Sequence, residues 1–212
     1  MNAAEKLIAE KGIQNVTKRE IVKAAGQKNE SVLQYHFQNL EGLLKAIQQS
    51  RATQTQEKRE EMLDQLLALT QKPTLRDICK IMVLPPFLLS KKDPGYCRYL
   101  SAFSLEPALA ATSALSLVKR KGAGGDSGKE TGKLLRKILA HLEEDAYLRR
   151  MDSAIRLASV SMSHHARQKD AFRSTESDLF IYSLIDAITG LLSAPVSEET
   201  AASFKEFASG KK

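Results

Sequence analysis

Apolar residues recur at steps of three and four through nearly every segment of the chain, and no run alternates in the way a half-buried strand would. The pattern predicts an all-α fold. A first helix is expected over about 2–11, closed by Gly12, the residue type that most easily adopts the left-handed conformation beyond a helix end. Thr17-Lys18-Arg19-Glu20 reads as a capping box opening a short second helix, which Gly26 ends. Only Gln27-Lys28-Asn29 separates it from a third helix, about 30–35. Asn39 caps a fourth, which turns Leu43, Leu44 and Ile47 inward. Further helices are expected over roughly 51–70, 74–90, 94–105, 108–119, 129–142, 144–170, 177–192 and 197–208. Pro73, Pro94 and Pro107 stand where helices begin, whereas Pro85-Pro86 falls inside an apolar run and is expected to break or kink it. The Gly-rich stretch 119–128 reads as a mobile loop.

Composition narrows the class. With 42% hydrophobic and 27% charged residues, the 212-residue chain can bury a core and is not of the disordered type. Its net charge of +7 fits a polyanionic partner, but the surplus is concentrated in residues 119–137, where Lys and Arg outnumber acids by 7 to 2. In the first 50 residues the ratio is only 7 to 5, so charge does not locate a nucleic-acid site. Cys79 and Cys97 have neither a CxxC partner nor a metal-type cluster around them, which argues against a disulfide framework and a zinc site. The most apolar stretch, 179–196, is interrupted by polar residues and does not read as a membrane span, and the N-terminus lacks a signal-peptide plan. A cytoplasmic location with no membrane partner is therefore expected.

Residues 17–37 carry the chemistry. A capped short helix, a tight turn after Ala24-Ala25-Gly26 and a second short helix ending Tyr35-His36-Phe37 have the spacing of a helix-turn-helix, with Ile21, Val22, Val32 and Leu33 holding the crossing. By periodicity alone, a helical hairpin inside a larger helical domain fits as well.

The ordered string Ala3-Ala4-Glu5-Lys6-Leu7-Ile8-Ala9-Glu10-Lys11-Gly12, Thr17-Lys18-Arg19-Glu20-Ile21, Ala25-Gly26, Asn29, Ser31, Tyr35-His36-Phe37 and Glu41-Gly42-Leu43-Leu44 resembles the TetR family of bacterial transcriptional regulators. The resemblance covers about the first 47 residues. A tail from Ile185-Asp186-Ala187 to Val196-Ser197 is similar to the final segment of one subgroup. Leu40 departs from the family pattern, standing where a basic phosphate-contacting residue is frequent. The resemblance implies a helix-turn-helix DNA-binding head over 1–46 and a helical effector-binding and dimerisation domain over 47–212. The protein would then be a ligand-responsive repressor that binds a palindromic double-stranded operator as a homodimer.

The same resemblance places Thr17, Arg19, Gln27, Lys28, Asn29, Ser31, Gln34, Tyr35 and His36 at the DNA. Their chemistry agrees. Arg19 and Lys28 can neutralise phosphates, while Asn29, Ser31 and Gln34 can donate and accept at base edges. Tyr35 and His36 either reach backbone oxygens or pack on the fourth helix. Glu30 either accepts from cytosine or is a solvated cap.

A head of this size covers one half-site only, which gives the rest of the chain a role in dimerisation, sensing or both. Two stripes read as a dimer face: Leu148, Met151, Ile155, Ala158, Met162 and His165 in one helix, and in the next a small-residue ridge of Ser183, Ala187 and Gly190 beside Ile188. Burial inside the protomer is the competing reading. Asp186 needs a partner, across that interface or elsewhere. Leu66, Ile81, Met82, Phe87, Tyr96, Tyr99 and Phe103 mix adaptable and aromatic surface and form the candidate lining of a pocket for a small-molecule effector of unspecified identity.

Enzymatic readings find little support. In Gly124-Gly125-Asp126-Ser127-Gly128-Lys129, Ala123 takes the place of the first glycine of a phosphate loop and Glu130 that of its Ser or Thr. His141 with Asp145, and His164-His165, lack the spacing of a catalytic metal site. No enzyme activity, cofactor or metal is expected. The alternative to a ligand-responsive regulator is a ligand-independent helical dimer that binds DNA or a protein partner.

Overall fold

The computed structural model describes residues 1–120 and 125–209, the side chains of residues 119, 120, 208 and 209 excepted. Among them every regular element is helical. The chain runs through α1 (Asn2–Lys11), a 3-10 turn (Ile13–Asn15), α2 (Lys18–Ala24), α3 (Ser31–Phe37), α4 (Leu40–Leu69), α5 (Leu75–Lys92), α6 (Pro94–Phe103), α7 (Glu106–Leu109), α8 (Ala114–Arg120), α9 (Gly125–Ile138), α10 (Glu144–Ala166), α11 (Thr175–Ser193) and α12 (Glu198–Ser209).

The helix expected over 108–119 is two, α7 and α8, and the one expected over 144–170 ends at Ala166; three other differences from the sequence reading trace to tertiary packing. The two segments expected on either side of residue 50 are one 30-residue helix, α4, about 45 Å long. Leu43, Ile47 and Arg51 follow one another at four-residue steps and are all buried, so the inward face never breaks. Helix α5 passes through Pro85 and Pro86 without a break. An interior proline costs about 3 kcal/mol, but α5 packs against both α4 and α11, and its buried Ile78, Ile81, Val83, Pro85 and Phe87 hold the helical path.

The expected loop 119–128 is the third difference. Arg120 still belongs to α8, and residues 125–128 form the first turn of α9, seated on α4: the Ser127 hydroxyl donates to the Gln56 carbonyl at 3.2 Å, and Thr131 Oγ1 to the Ser127 carbonyl at 2.7 Å. Residues 121–124 lie outside the described residues.

Two cores result. The body buries Ile78, Phe87, Tyr96, Leu135, Met151, Phe172, Ile181, Ile185 and Ile188 among α5, α6, α9, α10 and α11. A smaller core under α1–α4 holds Ala4, Ile8, Val16, Ile21, Val22, Leu33, Leu43 and Ile47, and it also contains Phe103 from α6. Helix α1 lies directly against α6, so head and body share a packed seam as well as a continuous helix.

Candidate nucleic-acid interface and cavity

The head is built from local chemistry. The Thr17 Oγ1 accepts from the Glu20 amide at 3.3 Å, and the Glu20 carboxylate accepts from the Thr17 amide at 2.9 Å, closing the capping box of α2. Lys11 Nζ donates to the other Glu20 oxygen at 2.7 Å, tying the end of α1 to the start of α2. This ammonium group, with the bonds from Thr17, holds the Glu20 carboxyl down to about 2. At the far end of α2, Gly26 has φ +70°; its amide donates to the Lys23 carbonyl at 3.1 Å, and that of Gln27 to the Val22 carbonyl at 3.0 Å. That pair of bonds is a Schellman motif, and it turns the chain sharply into α3.

Helix α3 presents its outer face to solvent. Arg19, Gln27, Lys28, Asn29, Ser31, Gln34, Tyr35 and His36 are all exposed, as is Thr17. Tyr35 is 85% exposed, so it projects outward rather than packing on α4. The His36 ring stands edge-on to Tyr35, with centroids 5.0 Å apart. Asn29 has a structural duty: its Oδ1 accepts from the Ser31 amide at 2.9 Å, fixing the first turn of α3. Glu30 precedes the helix in helical conformation without a side-chain cap bond.

One close approach sets the angle between α3 and α4. Gln38 has φ +64°, and a Cβ on Gly42 would sit 2.0 Å from the Phe37 carbonyl oxygen, so only glycine lets α4 begin there. Asn39 caps α4, its Oδ1 accepting from the Gly42 amide at 2.8 Å. Leu40 packs against the head core, in keeping with its apolar character.

Residues 1–47 match a family model described as bacterial regulatory proteins, tetR family. The chain carries a TetR-family DNA-binding domain. It is thus a DNA-binding transcriptional regulator, and the matched residues are those that build the helix-turn-helix and its junction with α4. No curated protein matches the chain. Among the described residues no single helix is long and apolar enough to cross a membrane.

Behind the TetR-type head lies a cavity of about 550 Å³, bounded by α4, α6, α7, α8 and α10. Of the residues singled out from the sequence, Tyr96, Tyr99 and Phe103 line it; the last two stack with centroids 5.3 Å apart. Phe87 is instead buried in the body core, with Leu66 and Met82 packed on it, and Ile81 is buried without lining the cavity. The wall that sequence reasoning missed is α4, which supplies Lys45, Gln48, Gln49, Ala52, Thr55 and Arg59. Their three- and four-residue spacing was visible, but a polar face on a long helix reads as solvated.

A second missed feature adjoins the cavity. Arg51 on α4 is buried and donates from Nε and Nη2 to the two carboxylate oxygens of Glu5 on α1, both at 2.7 Å. Its Nη1 donates to Asp93 at 2.7 Å, the residue that caps α6, and its guanidinium lies 5.5 Å from the centre of the Tyr96 ring. These carboxylates, Glu5 first, raise the Arg51 pKa further. Head, α4 and α6 therefore meet at one buried charge.

The two stripes in α10 and α11 are placed unequally. Met151, Met162, His165 and Ile188 are buried within the protomer, Ile155 and Ala158 are half-buried, and Leu148 is exposed. Ser183, Ala187 and Gly190 are exposed on α11, on the same face as Leu179 and Tyr182, which are 68% and 53% exposed. Asp186 finds its partner inside the protomer, in Arg76 at 2.9 Å.

Proposed function

We propose that the protein is a ligand-responsive repressor that binds a palindromic operator as a homodimer and releases it when a small molecule occupies the cavity behind the head. The observation that carries this reading is the sharing of Phe103: the same ring lines the cavity and belongs to the head core. A ligand that shifts α6 acts directly on the packing of α1, and allostery requires only such a differential contact between two states. The exposed ridge of Ser183, Ala187 and Gly190, flanked by Leu179 and Tyr182, supports a two-fold helical interface.

Selection of operators from random duplexes tests the reading, because a dimer with two heads yields an inverted repeat with half-sites about one or more helical turns apart. A consensus without two-fold symmetry would sink the homodimer. On the selected operator, Arg19→Ala is expected to weaken cognate and scrambled duplexes alike, whereas Gln34→Ala weakens mainly the cognate one in fluorescence anisotropy.

A further inference from the structure

Charged residues line the cavity, but each is already engaged or solvated. Arg59 and Glu106 interact within the chain, Glu106 accepting from Gln48 Nε2 at 3.1 Å. Lys45 is exposed, and an ion pair formed there is of the solvent-screened kind that contributes little. Two hydroxyls are committed as well: Thr55 Oγ1 donates to the Arg51 carbonyl at 2.8 Å, so the bond between Thr55 and Tyr96 uses the Tyr96 proton. A ligand with a net charge would therefore give up its hydration on entry and meet no free counter-charge inside. One polar group differs. Among the described residues nothing hydrogen-bonds the hydroxyl of Tyr99, a half-buried residue of the cavity wall. Burial raises its pKa, so the phenol keeps its proton and stands as a donor. Its ring stacks on Phe103, with centroids 5.3 Å apart and planes inclined by 25°, beside the aliphatic side chains of Leu100, Leu117 and Val118.

Resting on the effector reading above, we propose that this cavity binds an uncharged aromatic molecule that carries a hydrogen-bond acceptor such as a ketone or amide oxygen. The acceptor receives the Tyr99 hydroxyl, and the flat body packs on the Tyr99–Phe103 stack and against α8. Small-molecule sites orient a mostly apolar ligand in this way through a few placed polar groups, and a cavity of about 550 Å³ is of their usual size.

Equilibrium dialysis of the full chain against matched naphthalenes tests the assignment: 2-acetylnaphthalene, 2-ethylnaphthalene, 2-naphthoate and protonated 2-naphthylmethylamine. The ketone is expected to bind about tenfold or more tighter than the carboxylate and the ammonium ion. Tyr99→Phe keeps the ring and its stack and removes only the donor. It should weaken the ketone about fivefold, the size of one neutral hydrogen bond, while leaving the hydrocarbon within about twofold. A carboxylate or ammonium ion that binds the wild-type chain as tightly as the ketone would overturn the uncharged assignment and leave the cavity as an effector site. Equal losses of ketone and hydrocarbon in Tyr99→Phe, or no loss of either, would remove the Tyr99 contact and the proposal with it. If the ketone binds as expected yet leaves operator affinity unchanged in anisotropy, the proposal stands and the effector reading falls. If none of the naphthalenes binds, both fall together.

Discussion

Replacing Arg51 by Met is expected to cost about 3–5 kcal/mol, because it leaves the Glu5 carboxylate buried without a counter-charge. The geometry sets that magnitude. Glu5 is 2% exposed and the Arg51 side chain 9%, so neither can turn to water for compensation. Asp93, 47% exposed, can. Asp93→Asn keeps the capping oxygen that accepts from the Gly95 amide at 2.7 Å and loses only a half-exposed ion pair, so it should cost about 0–1 kcal/mol. Removing both buried charges in Glu5→Leu/Arg51→Met should recover most of the stability lost in Arg51→Met, since a buried pair and an apolar pair of similar volume are often close in stability. Urea denaturation of the four proteins, compared through midpoint and slope, measures all three quantities. A loss of this size is a large fraction of the roughly 5–15 kcal/mol that holds a domain folded. The reasoning is refuted if the double variant is no more stable than Arg51→Met, or if Asp93→Asn costs as much as Arg51→Met.

Four further outcomes are expected. Gly42→Ala should destabilise the head by about 1–3 kcal/mol as its Cβ is forced against the Phe37 carbonyl oxygen. Gly132→Ala, in the interior of α9 with nothing within 4 Å of a new Cβ, should stabilise by about 0.5–1 kcal/mol; chemical denaturation reads both. Burial lowers the pKa of His165, whose Nε2 lies 3.4 Å from the Phe172 amide and 3.1 Å from the Ser177 hydroxyl. The stability held by its neutral ring is present above the unfolded value near 6.5 and is lost as pH falls toward the depressed folded value, by at most about 1.4 kcal/mol per pH unit. Thermal melts at pH 7.5 and 5.5 should show that loss in the wild type and a smaller one in His165→Gln. Gly190→Leu places a side chain in open space on α11, so the protomer should melt as before while sedimentation shows weakened self-association; an unchanged sedimentation profile would remove that ridge from the interface.

The head was legible because its determinants are local. The Thr17–Glu20 box, the Gly26 turn and the Asn39 cap each involve residues within five positions of one another, and each satisfies backbone groups that a helix end leaves open. The same locality explains the failures. Whether Pro85-Pro86 breaks a helix depends on what lies on both sides of it, and whether the glycines at 125 and 128 form a loop depends on α4 standing beneath them. Neither neighbour is readable from a window of sequence.

Arg51 shows why the link between head and body was the least legible part. At position 51 the inward series of α4 runs from Leu43 and Ile47 into an arginine, which in sequence looks like the end of an apolar stripe. Its partners lie 46 residues before it and 42 after it, and neither separation has a helical or turn signature. A charge on an otherwise apolar face is the local sign of such a site. It states that a partner is required without naming it, since burial of an unpaired guanidinium would cost several kcal/mol. The same logic runs through the cavity wall. The polar face of α4 reads as solvated until α6 and α8 are laid against it, and only then do Thr55 and Arg59 become the polar end of an apolar chamber. The coupling proposed between the head and the body therefore rests on residues that break the local pattern, and those residues are where variants should separate DNA affinity from ligand response.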